Sequence, residues 1–183
     1  MSIQTQPLDT WTNYDSGPIK TAKETHQHIR ERLEDSDSRL NSRGEMRFDT
    51  LLQGSYANTT IVHESSDVDI LVRMNNPYNG NITSRLSSRL QDRYREEATF
   101  FDGDYSIDDF QQDVYDELQA IYGTRAITRY DKALVIDSNH CQLEMDADVV
   151  PCQQHRIYTG FNGDQNDSSN YYKGIRFKTQ NNK

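Results

Sequence analysis

The sequence predicts an α+β fold in which a mixed β-sheet is flanked by helices. Two features point there. Helical segments alternate with strand-like segments, and a run of adjacent short strands follows. A third feature supplies the packing: Ile107, Phe110, Val114, Leu118 and Ile121 fall on one face of a helix, a stripe suited to lie on that sheet.

Taken in order, Ile19 to Glu34 reads as a helix, broken by Asp35-Ser-Asp-Ser and Asn41-Ser-Arg-Gly. Phe48 to Gln53 reads as a strand that runs into a Gly-Ser turn. Asp67 to Met74 is a second strand, ended by the strong turn signal Asn75-Asn-Pro-Tyr-Asn-Gly. A polar helix is expected over Ile82 to Glu97. The helix from Ile107 to Tyr122 opens on Ser106 and Asp109, a capping box in its S-x-x-D form, and stops at Gly123. Short strands are expected near Ala126 to Arg129, Ala133 to Asp137 and Cys141 to Val150, the last closed by Pro151. Thr159 to Asn170 reads as a polar loop, and Lys173 to Lys178 as a final strand.

A chain of 183 residues suits one domain, residues 1–183. A net charge of −9 implies no basic stripe, so a long nucleic acid is not expected as partner. An acidic site holds a small anionic substrate through metal ions instead. Cys141 and Cys152 make no C-x-x-C pattern, which points to a reduced, cytoplasmic protein. The start lacks the basic and apolar regions of a signal peptide. The longest apolar run, Ala133 to Ile136, is far too short for a membrane span. Hydrophobic content of 33% makes the core thin. Acidic drift, a salty cytoplasm and absence of part of the protein each account for it.

Asp67-Val-Asp-Ile-Leu-Val is the sharpest chemical feature. On a strand, residues two apart point to one face, about 7 Å apart along the backbone. Asp67 and Asp69 therefore share a face, while Val68, Ile70 and Val72 share the other. Paired carboxylates repel unless a cation lies between them, and hard oxygen ligands suit Mg²⁺. Mn²⁺ is the alternative ion. An exposed strand end with two solvated aspartates accounts for the spacing equally well. Upstream, Gln53, Gly54 and Ser55 form a turn in which glycine lets backbone N–H groups approach a phosphate. An ordinary strand-ending turn has the same composition. No G-x-x-x-x-G-K-[ST] occurs, which excludes a P-loop enzyme. Glu144, Asp146 and Asp148 alternate along a third acidic segment and are expected on one strand face.

Together, Gly54-Ser55, the Asp67-x-Asp69 strand and a distant D-V-V-P resemble the nucleotidyltransferase superfamily of the DNA polymerase β type. The wording L-Q-G-S-Y-A-N-T-T, S-D-V-D-I-L-V, D-F-Q-Q-D-V and D-A-D-V-V-P-C is similar to one branch, the bacterial cyclic-oligonucleotide synthases (CD-NTases, or SMODS-type synthases). The resemblance runs from about Trp11 to Lys178 and implies a polymerase β-like fold. It gives Gly54 and Ser55 the donor triphosphate, Asp67 and Asp69 the paired metal sites, and Asp148 the third carboxylate, with Asp146 as competitor. The activity implied is joining of nucleoside triphosphates, ATP, GTP or others, into a cyclic di- or trinucleotide messenger for antiviral defence, with release of pyrophosphate. The rivals are a transferase modifying a small molecule, tRNA or protein, and a non-catalytic nucleotide-binding fragment. Family members continue into a C-terminal helical lobe, so the chain is read as a catalytic core truncated before that lobe, to be completed by it or by a partner chain.

Other residues read as structural. His26 and His28 point to nearly opposite sides of a helix and read as solvated. Arg156 reads as a surface arginine, with phosphate contact as the alternative. Tyr56 suits either base stacking or packing. The order of His140, Cys141, Cys152 and His155 matches no zinc pattern, so buried cysteines are expected. The eleven tyrosines read as amphipathic packing.

Overall fold

The computed structural model describes residues 17–43, 46–54, 67–97 and 105–178. Three helices are described: α1 (Pro18–Leu33), α2 (Ser88–Glu97) and α3 (Ile107–Tyr122). Six strands form one mixed sheet: β1 (Arg47–Leu52), β2 (Val68–Ile82), β3 (Ile127–Arg129), β4 (Leu134–Ile136), β5 (Ala147–Tyr158) and β6 (Tyr171–Arg176). The order is β1-β2-β5-β4-β3, and β6 pairs with β5. The central pair, β2 and β5, is parallel; the remaining pairs are antiparallel. A parallel pair needs a long crossover, and residues 83–146, which include α2 and α3, provide it.

Alternation along the central strands builds the core. Val68, Ile70, Val72 and Met74 of β2, with Ala147 and Val149 of β5, are fully buried. They cluster with Ala22, Ile29 and Leu33 of α1 and Phe110, Val114 and Leu118 of α3. Each fully buried Val, Leu, Ile, Met or Phe side chain here contributes roughly 1.5–3 kcal/mol. The expected stripe on α3 is the face that packs, with Ile107 and Ile121 at its margins. Ser106 and Asp109 form the reciprocal capping box, and Gly123 ends the helix at φ +88°. Arg43 makes a two-pronged ion pair with the buried Asp113, at 2.7 and 2.8 Å, and Tyr105 donates to the same carboxylate. This pins the segment after α1 onto α3.

The structure departs from expectation at three places. β2 does not stop at Asn75 but continues to Ile82, absorbing the turn-like residues as an irregularity between Met74 and Asn79. The polar helix accordingly starts at Ser88, not Ile82. β5 starts only at Ala147, and Pro151 lies inside it. Proline fits because β4 pairs with residues 147–149 and β6 with 153–158, leaving a gap at 151 where no ladder hydrogen bond is lost. The segment from Cys141 to Asp146 is therefore not strand, and Glu144 is exposed off the sheet.

A second, aromatic core forms at the far end of β2 and β5 from Tyr94, Tyr158, Phe161 and Tyr171, with Tyr78 against it. Arg156 is buried here, not on the surface as expected. Its guanidinium lies 3.7 Å from the Tyr78 ring centre and 4.7 Å from that of Tyr171. It donates to the Gln165 carbonyl and to Asn166. Cation–π contact lets a planar guanidinium take the place of an apolar side chain, so the packing role assigned to tyrosine recruits an arginine.

His26 also differs from the solvated residue expected. Its Nε2 is buried and makes no hydrogen bond of good geometry among the described residues, although the Thr50 backbone lies close enough to act on the ring. Burial pushes its pKa below the ordinary 6.5, and the Arg30 charge pushes the same way. The folded state thus binds fewer protons than the unfolded state, and stability must fall as pH drops through the unfolded pKa towards the folded one. We predict that the urea midpoint declines between about pH 7.5 and pH 5.5, and that His26→Phe flattens this decline. An equal decline in the variant assigns it to other groups.

Candidate active site

The candidate site is built by strand register. Val68 pairs with Ala147, Asp69 with Asp148 and Ile70 with Val149. Residues paired across parallel strands share a face at about 4.8 Å between strands. With the flanking apolar residues turned to the helices, Asp69 and Asp148 stand side by side on the opposite face. Asp67 sits one residue ahead of β2 and is exposed.

The Gly turn arrives on the same spot. β1 pairs with β2 up to Leu52–Ile70, and the Gln53 N–H then donates to the Asp69 carbonyl at 2.8 Å. Gly54 follows at φ +70°. A Cβ on Gly54 would lie 2.0 Å from Asp69 Oδ2 and 2.9 Å from its Cγ. Glycine is required twice, for the left-handed backbone and for the space the carboxylate occupies. The Gln53 side chain is exposed. Ser55 and Tyr56 lie outside the described residues.

The carboxylates repel one another. Burial raises the Asp148 pKa, and Asp67, Asp69 and Asp146 raise it further. Burial, Asp146 and Asp69 likewise raise that of Asp67. Asp146 has a different environment. Its Oδ1 accepts from the Ser138 N–H at 2.8 Å and from the Ser138 hydroxyl at 2.5 Å. It is committed to the 3₁₀ turn Ser138–His140, whereas the Asp148 carboxylate accepts no hydrogen bond among the described residues. Ser138 was missed in the sequence. The available signal was Asp137-Ser-Asn-His, an Asx-type turn in which Asp137 accepts from the Asn139 N–H at 2.9 Å.

Among the described residues, no three His, Cys, Asp or Glu side chains already converge as a closed metal cage. The donor chemistry nonetheless fits a hard divalent cation. Mg²⁺ is usually held by one or two carboxylates with phosphate oxygens completing its sphere, and mutually repelling acids stay apart until a cation neutralises them. The hollow at Gly54 keeps the Asp69 carboxylate unobstructed.

No protein-family model matches the chain. It is 32% identical over 179 residues to a cyclic nucleotide synthase, CdnE01, of Staphylococcus haemolyticus, covering 98% of this chain and 56% of that protein. It is 31% identical over 177 residues to a cyclic UMP-AMP synthase of Rhodothermus marinus, covering 97% and 54%. The solved structure of the Rhodothermus marinus CdnE c-UMP-AMP synthase, with Apcpp and Upnpp, superposes with a TM-score of 0.67 at 28% identity, over 97% of this chain and 56% of that one. The chain belongs to the CD-NTase family. Its sheet and helices are those of the polymerase β-like fold, as the sequence resemblance implied. The chain spans about half the length of the curated CD-NTases it matches.

Two predictions follow from this geometry. Gly54→Ala forces a Cβ into the space of Asp69 and a strained backbone, so we expect a loss of about 1–2 kcal/mol in urea unfolding from the backbone alone. Nucleotide turnover should fall with it. A variant as stable and as active as the parent would show that the turn relaxes freely. Asp148→Asn removes a carboxylate that the fold disfavours, so its melting temperature should hold or rise while turnover is lost. Asp146→Ala should instead lose stability, by about 1–3 kcal/mol for the stranded Ser138 donors. Greater activity loss from Asp146→Ala than from Asp148→Asn would exchange the two roles.

Proposed function

We propose that this chain is the catalytic half of a metal-dependent nucleotidyltransferase that joins nucleoside triphosphates with release of pyrophosphate. The product is a cyclic di- or trinucleotide second messenger of antiviral defence. The observation that carries the reading is the Asp69–Asp148 register pair with Gly54 packed against it. The likeness to cyclic nucleotide synthases supports the product class. We assign Mg²⁺, or Mn²⁺, to Asp67, Asp69 and Asp148. Bound there, the metal would supply positive charge to the triphosphate and to the reacting oxygens.

The chain's own residues then have separate tasks. The turn at Gly54 lets backbone approach the triphosphate with no side chain intervening. Asp69, fixed from both neighbouring strands, sets where the phosphates lie. The Asp148 carboxylate takes the proton of the acceptor hydroxyl. That oxygen bonds to the α-phosphorus of the donor, the bond from the α-phosphorus to the bridging oxygen breaks, and pyrophosphate leaves. Positioning and charge stabilisation provide most of the acceleration. No described helix is long and apolar enough to cross a membrane. Free Cys141 and Cys152 suit the cytoplasmic setting we assign.

The Rhodothermus marinus structure is described with Apcpp and Upnpp, so ATP and UTP are the first pair to test. We expect Mg²⁺-dependent pyrophosphate release and a cyclic product on chromatography. Asp67→Asn and Asp69→Asn should each lower turnover by at least about a hundredfold, the upper range for weaker, outer-shell changes at metal sites. Wild-type rates in both variants would overturn the assignment. A linear or mononucleotide adduct as sole product would keep the transfer and replace the product.

A further inference from the structure

A polar cleft, of about 510 Å³, opens on the helix side of the sheet. It is lined by His28 and Arg32 of α1, Ile121 and Tyr122 at the end of α3, and His140, Cys141 and Gln142 after the 3₁₀ turn. Asp69 and Asp148 face the other side, so the cleft lies outside the catalytic site. Its volume falls in the range of small-molecule pockets.

The lining is rich in hydrogen-bond donors and holds no carboxylate, on a chain of net charge −9. Both imidazoles are fixed through Nδ1. His28 Nδ1 lies 3.1 Å from the Tyr122 hydroxyl, and His140 Nδ1 lies 3.1 Å from Asp137 Oδ2. Each ring therefore leaves Nε2 for a ligand: that of His28 donates when Nδ1 accepts the Tyr122 hydroxyl, and that of His140, whose Nδ1–H donates to Asp137, donates to an anion in the imidazolium form. Arg30, two residues before Arg32, is tied to Glu34. The Arg32 guanidinium makes no hydrogen bond or ion pair among the described residues. A guanidinium with two oriented imidazoles, and Gln142 beside them, matches the several acceptor oxygens of a phosphate group better than a single carboxylate.

We propose that this cleft binds a small phosphate-bearing anion at a site separate from catalysis. The site is joined to the catalytic strand through a short connection. His140 and Cys141 continue the turn whose Ser138 is held by Asp146, two residues before Asp148. Occupancy of the cleft thus bears on the turn that precedes the third carboxylate. The binding claim stands without the proposed nucleotidyl transfer and is tested without it.

The test is an NMR titration of the His28 and His140 ring resonances in the whole chain, with EDTA present so that no divalent ion bridges phosphate to the catalytic aspartates. One arm uses inorganic pyrophosphate and the other AMP. Saturable shifts of both rings are expected in at least one arm. The tighter arm identifies the source as inorganic or nucleotide phosphate. Arg32→Gln, at an exposed position, should weaken binding by about tenfold or more, the loss expected when a charged hydrogen bond is removed. Arg32→Lys should restore part of it. No saturable shift in either arm, or equal binding by Arg32→Gln, overturns the proposal.

Discussion

The pairing of β2 with β5 is the constraint on which the site depends. It is a parallel pairing, so it is not set by a tight turn and must be specified by side chains. The specification is burial. Val68 and Ile70 face Ala147 and Val149 in the core, all fully buried. A slip of either strand by one residue would carry its own two core residues to the open face and drive its aspartate among Phe110, Val114 and Leu118. Burying an unpaired carboxylate costs several kcal/mol, so the register that builds the core also holds the acids together. β1 extends the same logic, because its pairing through Leu52 delivers Gly54 onto Asp69.

Seen this way, the chain carries the same acidic motif twice. Asp67-Val-Asp69 and Asp146-Ala-Asp148 each straddle the start of a central strand. In both, the first aspartate stands ahead of the strand and the second lies within it. Parallel pairing brings the four carboxylates to one end of the sheet. They are not equivalent. Ser138 satisfies Asp146 with two hydrogen bonds, which leaves Asp148 as the partner of Asp69. Proximity along the sequence does not separate the two aspartates; the turn at Ser138 does.

That difference explains how much was legible beforehand. α3 was readable to its ends because its stripe, capping box and terminal glycine agree with one another. The face of Asp69 was readable because alternation in Val68, Ile70 and Val72 is unambiguous. The extension of β2 was not, since Asn75 to Gly80 has turn composition and only pairing with β5 keeps it extended. Pro151 misled for a related reason: its tolerance depends on a gap between β4 and β6 that no local pattern announces. Arg156 and His26 read as surface residues because charge and polarity are local, whereas the tyrosine rings and helix packing that bury them are tertiary.

The long central strands also divide the protein into two regimes. Their first halves carry the aliphatic core on one face and the acids on the other. Their second halves, beyond the irregularity after Met74, carry the tyrosine cluster around Arg156. The acid end stores repulsion, since Asp67 and Asp148 are held above the ordinary carboxylate range by burial and by neighbouring aspartates. The aromatic end contributes the opposite: cation–π contact and tyrosine hydroxyls bonded to each other and to the 159–170 loop. A sheet that must hold unneutralised charge at one end needs its strands fixed elsewhere. The tyrosine–arginine packing fixes β2, β5 and β6 without adding a carboxylate near the site. The repulsion at Asp67 and Asp148 is thereby borne by strand pairing and by packing at the far end, not relieved by separation of the strands.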